Sequence, residues 1–362
     1  MTSPYAIALS HFVPFGSRTY VRLFEFYPDY EAIWKATRDE LMALEISPKA
    51  IDKFIEWRSH TNPQTLAAEV TKLGIDTIDK NDPRFPTALK TIHDPPILLY
   101  VEGSLPITDQ LIGVVGSRDA TPYGLKTARQ FATELSQAGL VVVSGLARGI
   151  DVEAHAGAMT TGGKTIAVLA HGLLELTGSK RIFANQIIRQ GGAIITEQPP
   201  HFKAQPYHFP IRNRIIAGLS RGVVIVEAAM ASGTLRTAQA AIEAHREVFA
   251  IPGPIDSPTS TGTNKLLQDG AHVTLSSNDV LETLGFPTTR PKPESTLIQP
   301  EAPEVSLNLE QSTILALISN LPVHVDELAR NSGLSTPEVL GTLTILEIHG
   351  KVRPLGNMYY SL

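Results

Sequence analysis

Short apolar runs alternate with amphipathic, helix-like segments through the middle of the chain. The runs are rich in β-branched residues and show no regular exchange of polar and apolar positions. Such runs are typical of parallel strands that helices cover on both faces. They begin at Leu111, Leu140, Thr165, Ala193, Gly222 and Glu247. The pattern predicts an α/β fold, a Rossmann-like, doubly wound and mostly parallel sheet, between Leu111 and about His272.

The N-terminal segment has a different pattern. Between Leu23 and Ile55, apolar residues recur at spacings of three and four, as amphipathic helices require. Ser47-Pro48 predicts a helix start, with proline in the first turn. We therefore expect a small all-α domain of the sterile-alpha-motif or helix-hairpin-helix kind. Such modules bind DNA or protein, or only pack, so this pattern assigns no function.

The C-terminal segment predicts a second separate domain. A stretch rich in Pro, Thr and Glu precedes it and predicts a flexible linker. Three helical patterns follow, the last from Pro337 to Ile348, and residues 352–361 predict a two-stranded wing. This order is typical of a winged helix-turn-helix. The predicted parts are residues 1–75 (helical), 76–286 (the Rossmann-like domain with its N-terminal extension), 287–307 (the linker) and 308–362 (the winged helix).

Composition narrows the chemistry. The 362 residues include no cysteine, which excludes disulfides, thiolate metal sites and thiol nucleophiles. The sequence has neither a membrane-spanning apolar run nor a signal-peptide pattern, so we expect a cytoplasmic protein that does not bind membranes. The formal net charge is −5. A nucleic-acid-binding protein with this charge has to concentrate its basic residues on one surface.

Three loops that follow predicted strands combine glycine with hydroxyl or guanidinium groups. In open parallel sheets, ligands bind beyond the carboxyl ends of the strands. Glycine lets the backbone approach a ligand, and the amides at the start of the following helix favour an anion such as phosphate. The candidate residues are Gly116, Ser117 and Arg118, then Ser144, Gly145 and Arg148, and finally Ser232, Gly233 and Thr234. Together the three loops predict a phosphate-binding edge.

A further segment, residues 206–214, places aromatic residues beside arginines just before a predicted helix over 215–219. Nucleobases stack on aromatic and guanidinium planes, and arginines contact phosphates. The same residues also fit an aromatic core with solvated arginines, and the sequence does not decide between the two. The candidates are Tyr207, Phe209, Arg212, Asn213 and Arg214.

Familiar cofactor and metal motifs are missing from the sequence. No G-x-G-x-x-G follows the first strand, which argues against a dinucleotide. Gly162-Gly163-Lys164-Thr165 resembles the end of a Walker A loop, but its lysine leads into a strand, so we expect a helix-ending turn. The histidines have no ligand-like spacing, and Asp151, one turn before His155, is a predicted helix N-cap. We expect neither a cofactor nor a metal.

Taken in order, these motifs resemble the DNA-processing protein A family (DprA/Smf). The resemblance implies a single-stranded DNA-binding protein of bacterial natural transformation that protects incoming DNA and loads the RecA recombinase onto it. It also implies that the protein is not an enzyme and dimerises through the Rossmann-like domain. The motifs are Gly116-Ser117-Arg118 with residues 121–124, residues 144–151 with His155, His208-Phe209-Pro210 with residues 212–220, Ser232-Gly233-Thr234 with Thr237-Ala238, and residues 249–254.

The resemblance further implies a strand-binding pocket. Arg118 belongs to it, together with a basic residue in the loop after the third strand, which is Lys180 or Arg181 here. This loop departs from the family pattern, because residues 176–181 lack the usual Tyr-Pro and nearby asparagine. The positive charge is kept while the loop shape differs.

Two alternatives come from other functional classes. The first is a phosphoribohydrolase of the lysine-decarboxylase-like group, whose P-G-G-x-G-T-x-x-E loop supplies a catalytic glutamate. In this chain Arg236 and Thr237 stand where the carboxylate would be needed. An arginine cannot act as a general base at neutral pH, which argues against this enzyme. The second is a transcription factor. Its recognition helix would hold Glu338 and Glu347 but no arginine or lysine to contact DNA. The predicted winged helix therefore favours contact with a protein, or contact with DNA only through its wing.

Overall fold

The computed structural model describes residues 2–288, 308–319, 322–349, 351–356 and 358–361. The chain forms two compact units, residues 1–290 and 291–362. Apart from its first two residues, the predicted linker 287–307 lies outside the described part of the chain. The domain boundaries drawn from the sequence stay a prediction. No helix among the described residues combines the length and apolar character needed to cross a membrane.

A mostly parallel sheet forms the centre of the first unit. Its strands are β1 (Asp76–Asp79), β2 (Leu98–Gly103), β3 (Leu111–Val115), β4 (Val141–Ser144), β5 (Thr165–Val168), β6 (Ala193–Thr196), β7 (Gly222–Ile225), β8 (Glu247–Ala250) and β9 (His272–Val273). The spatial order is β1-β2-β6-β5-β4-β3-β7-β8-β9. All neighbours from β6 to β9 are parallel, for example Val114 beside Val224. The predicted Rossmann-like α/β fold is thus confirmed, with strands at the predicted places.

The sheet extends beyond the predicted parallel strands at one edge. β2 pairs antiparallel with β6, and β1 pairs antiparallel with β2. The four strand positions Leu98, Leu99, Tyr100 and Val101 form a short apolar run and are all buried. The segment before the first parallel strand is therefore part of the sheet.

Helices cover both faces of the sheet. They are α7 (Thr87–Lys90), α8 (Pro122–Gln137), α9 (Ile150–Thr160), α10 (Gly178–Arg189), α11 (His208–Leu219), α12 (Thr234–Glu243), α13 (Thr261–Gln268) and α14 (Ser277–Thr283), with short 3₁₀ turns at Leu173–Glu175 and Pro258–Ser260. Two apolar cores result, one on each face; Ile112 and Val114 belong to one, and Val143 and Ile166 to the other. Gly162, with φ +73°, follows α9 as the predicted helix-ending turn.

The predicted N-terminal helices are present and pack against the sheet. They are α1 (Pro4–His11), α2 (Ser17–Phe26), α3 (Tyr30–Lys35), α4 (Arg38–Met42), α5 (Pro48–Ser59) and α6 (Pro63–Lys72). One continuous core joins Leu9 and Phe54 of these helices to Tyr100 and Ile194 of the sheet. The Tyr30 hydroxyl also donates to the Ile97 carbonyl, at 3.0 Å. The helices and the sheet are therefore one unit, and the likeness to a sterile alpha motif stays a prediction.

The second unit has the element order of a winged helix. Its elements are α15 (Leu309–Leu317), β10 (Val323–His324), α16 (Val325–Ser332), α17 (Thr336–Ile348), β11 (Arg353–Gly356) and β12 (Tyr359–Ser361). Gly333 adopts φ +75° and ends α16, where the sequence predicts a turn. β12 pairs with both β10 and β11. The predicted winged helix is confirmed.

Candidate nucleic-acid interface

The candidate site lies where the strand order of the sheet reverses. β4 lies on one side of β3 and β7 on the other, so the chain winds in opposite directions from this point. Open α/β sheets bind ligands in the crevice at such a point. A cavity of about 470 Å³ occupies it here, which we call the switch cavity. It is lined by the loop after β3, the start of α11 and the Ser232-Gly233-Thr234 loop before α12.

A second cavity of about 310 Å³, the side cavity, adjoins the first. Arg148, His171 and Lys180 line it. Arg118, Ala147, Phe209 and Arg212 line both cavities, so the two lie side by side across shared residues. We call the two cavities together the groove.

Arg118 and Phe209 meet where the two cavities join. The guanidinium carbon of Arg118 lies 5.0 Å from the centre of the Phe209 ring, within range of a cation–π contact. Arg118 is exposed, and Phe209 is partly buried in the first turn of α11. This helix starts at His208, so the predicted start at residue 215 was wrong. A cation and an aromatic face are thereby presented together at one point of the groove.

Glu227, two residues after the end of β7, holds the loop that carries Arg118. Its buried carboxylate accepts hydrogen bonds from the Thr121 amide (2.9 Å) and hydroxyl (2.5 Å), and its carbonyl accepts from the Ser117 amide (2.8 Å). Gly124 leaves room for that carboxylate, since a Cβ there would overlap it. Because β3 and β7 are neighbours, one acidic residue ties the two loops that flank the switch point.

The second loop is fixed to the first through Gly149. This residue adopts φ +88°, in the left-handed region, and a Cβ there would overlap the Ser117 carbonyl oxygen. The Ile150 amide donates to the same carbonyl at 3.2 Å. Glycine at this position therefore sets how closely the two loops approach.

The carboxylate of Asp151 occupies the amide cradle of the second loop. It accepts hydrogen bonds from the Gly145 amide (3.1 Å) and the Ala147 amide (3.3 Å). Gly149 is the residue before α9, so the predicted role of Asp151 as the helix N-cap was wrong. Backbone donors that the sequence suggested for phosphate are already bound by this side chain.

Arg212 lies beneath the groove as a buried support. Its guanidinium donates to the carbonyls of Gly145 (2.9 Å) and Val168. Burial lowers the pKa of Arg212 to about 10, although Asp151 acts in the opposite direction. A Cβ at Gly145 would overlap this guanidinium. Ser144 is also internal, because its hydroxyl donates to the Val114 carbonyl at 2.7 Å.

Besides Arg118, the accessible cations of the side cavity are Arg148 and Lys180. The Arg148 side chain is 76% exposed and pairs with Asp119, which is 82% exposed. Exposed pairs contribute only about 0–1 kcal/mol, so a phosphate can compete for this arginine. Partial burial, followed by repulsion from Arg118 and Arg212, lowers the pKa of Lys180. The structure thus concentrates like charges here, as the net charge of −5 requires of a nucleic-acid-binding surface.

The third loop closes the other side of the switch cavity. The Ser232 hydroxyl donates to the Thr234 hydroxyl (2.9 Å) and accepts from the Thr234 amide (3.1 Å). The Asn213 side chain donates to the Gly233 carbonyl at 3.4 Å. Its oxygen accepts from Arg212 at 3.2 Å. Asn213 therefore connects the buried arginine to the start of α12.

Two predicted residues lie away from the groove. Arg181 pairs with Glu102 and donates to the Leu173 carbonyl at 3.0 Å. Arg214 pairs with Glu197, also approaches Asp94, and lines a different cavity. The structure brings the other candidates together around the groove: Gly116, Ser117, Arg118, Gly145, Arg148, Lys180, Arg212, Asn213, Ser232, Gly233 and Thr234 line its cavities, with Ser144 beneath them.

His155 has the environment of a structural residue. It is fully buried, and its Nδ1 lies 2.7 Å from the Thr165 hydroxyl. Burial lowers its pKa to about 3, so the ring is neutral at pH 7. Among the described residues, no group of three or more His, Asp or Glu side chains has the arrangement of a metal site.

Comparison with known proteins supports both units. A protein-family model described as DNA recombination-mediator protein A matches residues 76–285, and one described as the DprA winged helix domain matches residues 298–358. Protein Smf of Escherichia coli is 38% identical over 77% of this chain and 75% of its own length. Protein Smf of Synechocystis is 33% identical over 98% of each chain.

Solved structures agree with the sequence matches. The crystal structure of DNA processing protein A (DprA) from Streptococcus pneumoniae matches with a TM-score of 0.66 and 32% identity, covering 79% of this chain and 99% of that one. A structure of DNA processing protein A from Helicobacter pylori, described for its single-stranded DNA binding mode, matches with a TM-score of 0.51 and 29% identity over 58% and 95% of the two chains. With matching family models, relatives and structures, the chain belongs to the DprA/Smf family of DNA-processing proteins.

Proposed function

We propose that the protein binds single-stranded DNA in the groove, without strong sequence preference. The observation that carries this proposal is the grouping of Arg118, Arg148 and Lys180 around two joined cavities, with Phe209 at their junction. Cations that follow the backbone, combined with an aromatic platform for bases, are the features that single-strand binders share. Membership of the DprA/Smf family supports the same ligand, as does the DNA-binding mode described for the Helicobacter pylori protein.

The parts of the groove have different roles in this proposal. Arg118 and Lys180 bind backbone phosphates, and Arg148 exchanges its ion pair with Asp119 for a phosphate. The start of α12, at Thr234, directs the positive end of a ten-residue helix toward the switch cavity. A base stacks beside Phe209. Contacts to phosphates and to aromatic faces read no base edges, which accounts for the lack of sequence preference.

The test is a titration of an unstructured oligonucleotide, followed by fluorescence anisotropy at several salt concentrations. Arg118→Ala should weaken binding at least tenfold, about the value of a charge-assisted contact. It should also reduce the slope of log affinity against log salt by about 0.7, the value for one phosphate of a single strand. Arg189→Ala is the matched control, because this exposed arginine ends α10 and therefore lies at the opposite edge of the sheet. Equal affinities of wild type and Arg118→Ala would refute the site.

A binding role, rather than catalysis, is part of the proposal. In the loop that carries a glutamate in phosphoribohydrolases, Arg236 is exposed and Thr237 is buried against the switch cavity. Neither side chain is a general base at neutral pH. Incubation with nucleoside monophosphates should release no free base above the rate without protein. Release that Thr237→Ala abolishes would favour the enzyme instead.

We further propose that the protein acts in natural transformation, where it protects incoming strands and loads RecA onto them. Family membership supports this role. The measurement is RecA filament assembly on DNA already covered by single-strand-binding protein. The wild type should shorten the lag of assembly, and Arg118→Ala should not. A lag unchanged by the wild type would contradict RecA loading while leaving DNA binding intact.

We also propose a homodimer that forms through the Rossmann-like unit. β9 is the last strand at its edge of the sheet, and Val273 and Leu275 beside that edge are 59% and 71% exposed. Exposed apolar groups next to a sheet edge favour pairing with another chain. Light scattering after size exclusion should give twice the chain mass for the wild type and a single mass for Leu275→Asp. A monomeric wild type at micromolar concentration would contradict the dimer.

A further inference from the structure

A third cavity lies beside the groove, on the neighbouring face of α11. Pro206, Phe209 and Asn213 point to the switch cavity, whereas Tyr207 and Arg214 line this one. In a helix, residues one position apart differ by about 100° in direction, so the two cavities adjoin across the first turns of α11. The cavity, which we call the junction cavity, measures about 640 Å³ and lies between the N-terminal helices and the sheet.

The interior of the junction cavity contains both donors and acceptors. The Arg214 side chain is only 10% exposed and pairs with Glu197. Its Nε lies 3.3 Å from Asp94 without hydrogen-bond geometry, and neither Nε nor Nη1 has a hydrogen-bond partner among the described residues. No described residue donates to Oε1 of Glu197 or Oδ1 of Asp94 either. Buried polar groups without partners are costly, so a ligand that supplies partners is favoured.

The rim of the cavity differs in character from its interior. Tyr207 is 64% exposed at the side nearest the groove, where its ring offers a stacking surface. Gly16 also lines the cavity, and α2 begins after it without a side chain that caps its first amides. Exposed Arg18 stands in the first turn of this ten-residue helix. The rim therefore combines an aromatic ring with a cation at a helix N-terminus, which favours an anion.

We infer that the junction cavity is a second nucleotide subsite for the strand held in the groove. The base lies against Tyr207 with its edge in the cavity, and the adjoining phosphate lies at the rim by Arg18. The interior holds two carboxylates, Asp94 and Glu197, against the single guanidinium of Arg214, so it repels a phosphate. The edge of a base carries both donors and acceptors and can pair with both kinds of group. This inference rests on the proposed function, because the strand reaches the cavity by crossing the start of α11.

Oligonucleotide length separates this subsite from the groove. A strand of about 6 nucleotides occupies the groove alone, and one of about 20 nucleotides reaches both sites. The double variant Tyr207→Ala/Arg18→Ala should weaken binding of the 20-mer about tenfold and change binding of the 6-mer less than twofold. In the 20-mer, 2-aminopurine placed beyond the sixth position should lose part of its stacking-induced quenching when Tyr207 is replaced. Both replaced side chains are exposed, so the variants should fold as the wild type does.

The controls replace an exposed aromatic and an exposed cation elsewhere. Phe26→Ala at the far end of α2 and Arg189→Ala at the end of α10 should leave both affinities within twofold of the wild type. An unchanged 20-mer affinity in the double variant, or equal losses for both lengths, would overturn the subsite. If Arg118→Ala still weakens both lengths, only the subsite fails; if it weakens neither, the proposed function fails as well.

Discussion

Asp151 and Arg212, two buried opposite charges that attract each other beneath the groove without direct contact, give the sharpest prediction for stability. Asp151 is 6% exposed and Arg212 is 5% exposed, so removal of either partner leaves an uncompensated charge beneath the groove. Removing one partner of a buried pair in contact costs about 3–5 kcal/mol, and the lack of direct contact here places the loss toward the lower end. We expect Asp151→Asn and Arg212→Met each to lower the free energy of unfolding by about 3 kcal/mol, at the lower end of this range because both replacements keep most of the volume.

The combined variant should lose less than the sum of the two single losses. Burial raises the pKa of Asp151 and lowers that of Arg212 to about 10, which indicates that neither charge is fully compensated in the fold. The double variant removes both buried charges and with them the cost of burying these charges. Its loss in the free energy of unfolding should therefore be about 2 kcal/mol smaller than the sum of the two single losses.

The assay is urea unfolding of the full chain, followed by the fluorescence of its two tryptophans. Asp119→Asn is the matched control, since this carboxylate belongs to the same loops but is 82% exposed, and it should cost less than about 1 kcal/mol. Strictly additive losses in the double variant would refute the coupling. A loss in Asp151→Asn no larger than in Asp119→Asn would refute the supporting role of the pair.

Three further predictions follow from single residues. Gly149→Ala should lower the free energy of unfolding, measured by thermal unfolding, by about 3 kcal/mol, because φ is +88° and the new Cβ overlaps a carbonyl. Gly233→Ala, with open space around it, should cost less than about 1 kcal/mol. Equal losses in the two variants would contradict the loop geometry. The folded pKa of His155, about 3, lies below its unfolded value, so its contribution to stability is present above pH 6.5 and is lost as the pH falls toward 3. About 2 kcal/mol should vanish between pH 6.5 and 4.5 in urea unfolding, and His155→Gln should lose markedly less; equal acid sensitivity would refute this account. Because the pKa of Lys180 is lowered, DNA affinity should decline as the pH rises toward 10.5, and Lys180→Arg should flatten that decline in anisotropy titrations; parallel curves would remove Lys180 from the site.

Much of the fold could be predicted from the sequence because its strands are short, continuous apolar runs. The run Leu111–Val115 is buried at every position, so apolar content alone locates it. The edge of the sheet where ligands bind also follows, since loops after parallel strands share one edge. The local pattern did not locate the start of α11, which was predicted at residue 215 and lies at His208. Pro210 falls in the first turn of this helix, where proline is tolerated.

The supports of the site could not be predicted in the same way. Glu227 is an ordinary acidic residue after an apolar run, and only the pairing of β3 with β7 brings it to Thr121, more than one hundred positions earlier. Asp151 has the sequence position expected of a helix N-cap. Its carboxylate instead accepts from the Gly145 and Ala147 amides, and this depends on the conformation of the loop that precedes α9. Contacts between residues far apart in sequence leave no local signal, so the structure is needed to separate supports from binding residues.

The arginines of the candidate site illustrate what that separation implies. Arg118 and Arg148 are exposed at the groove, whereas Arg212 is buried beneath it and binds two carbonyls of the sheet edge. Replacing an exposed arginine should change affinity and its salt dependence at nearly constant stability. Replacing the buried one should lower both the affinity and the stability of the protein measured without DNA. If only the DNA affinity of such variants were measured, Arg212 would be assigned to the residues that contact DNA. Measuring the free energy of unfolding of the same variants distinguishes residues that contact DNA from a residue that supports them.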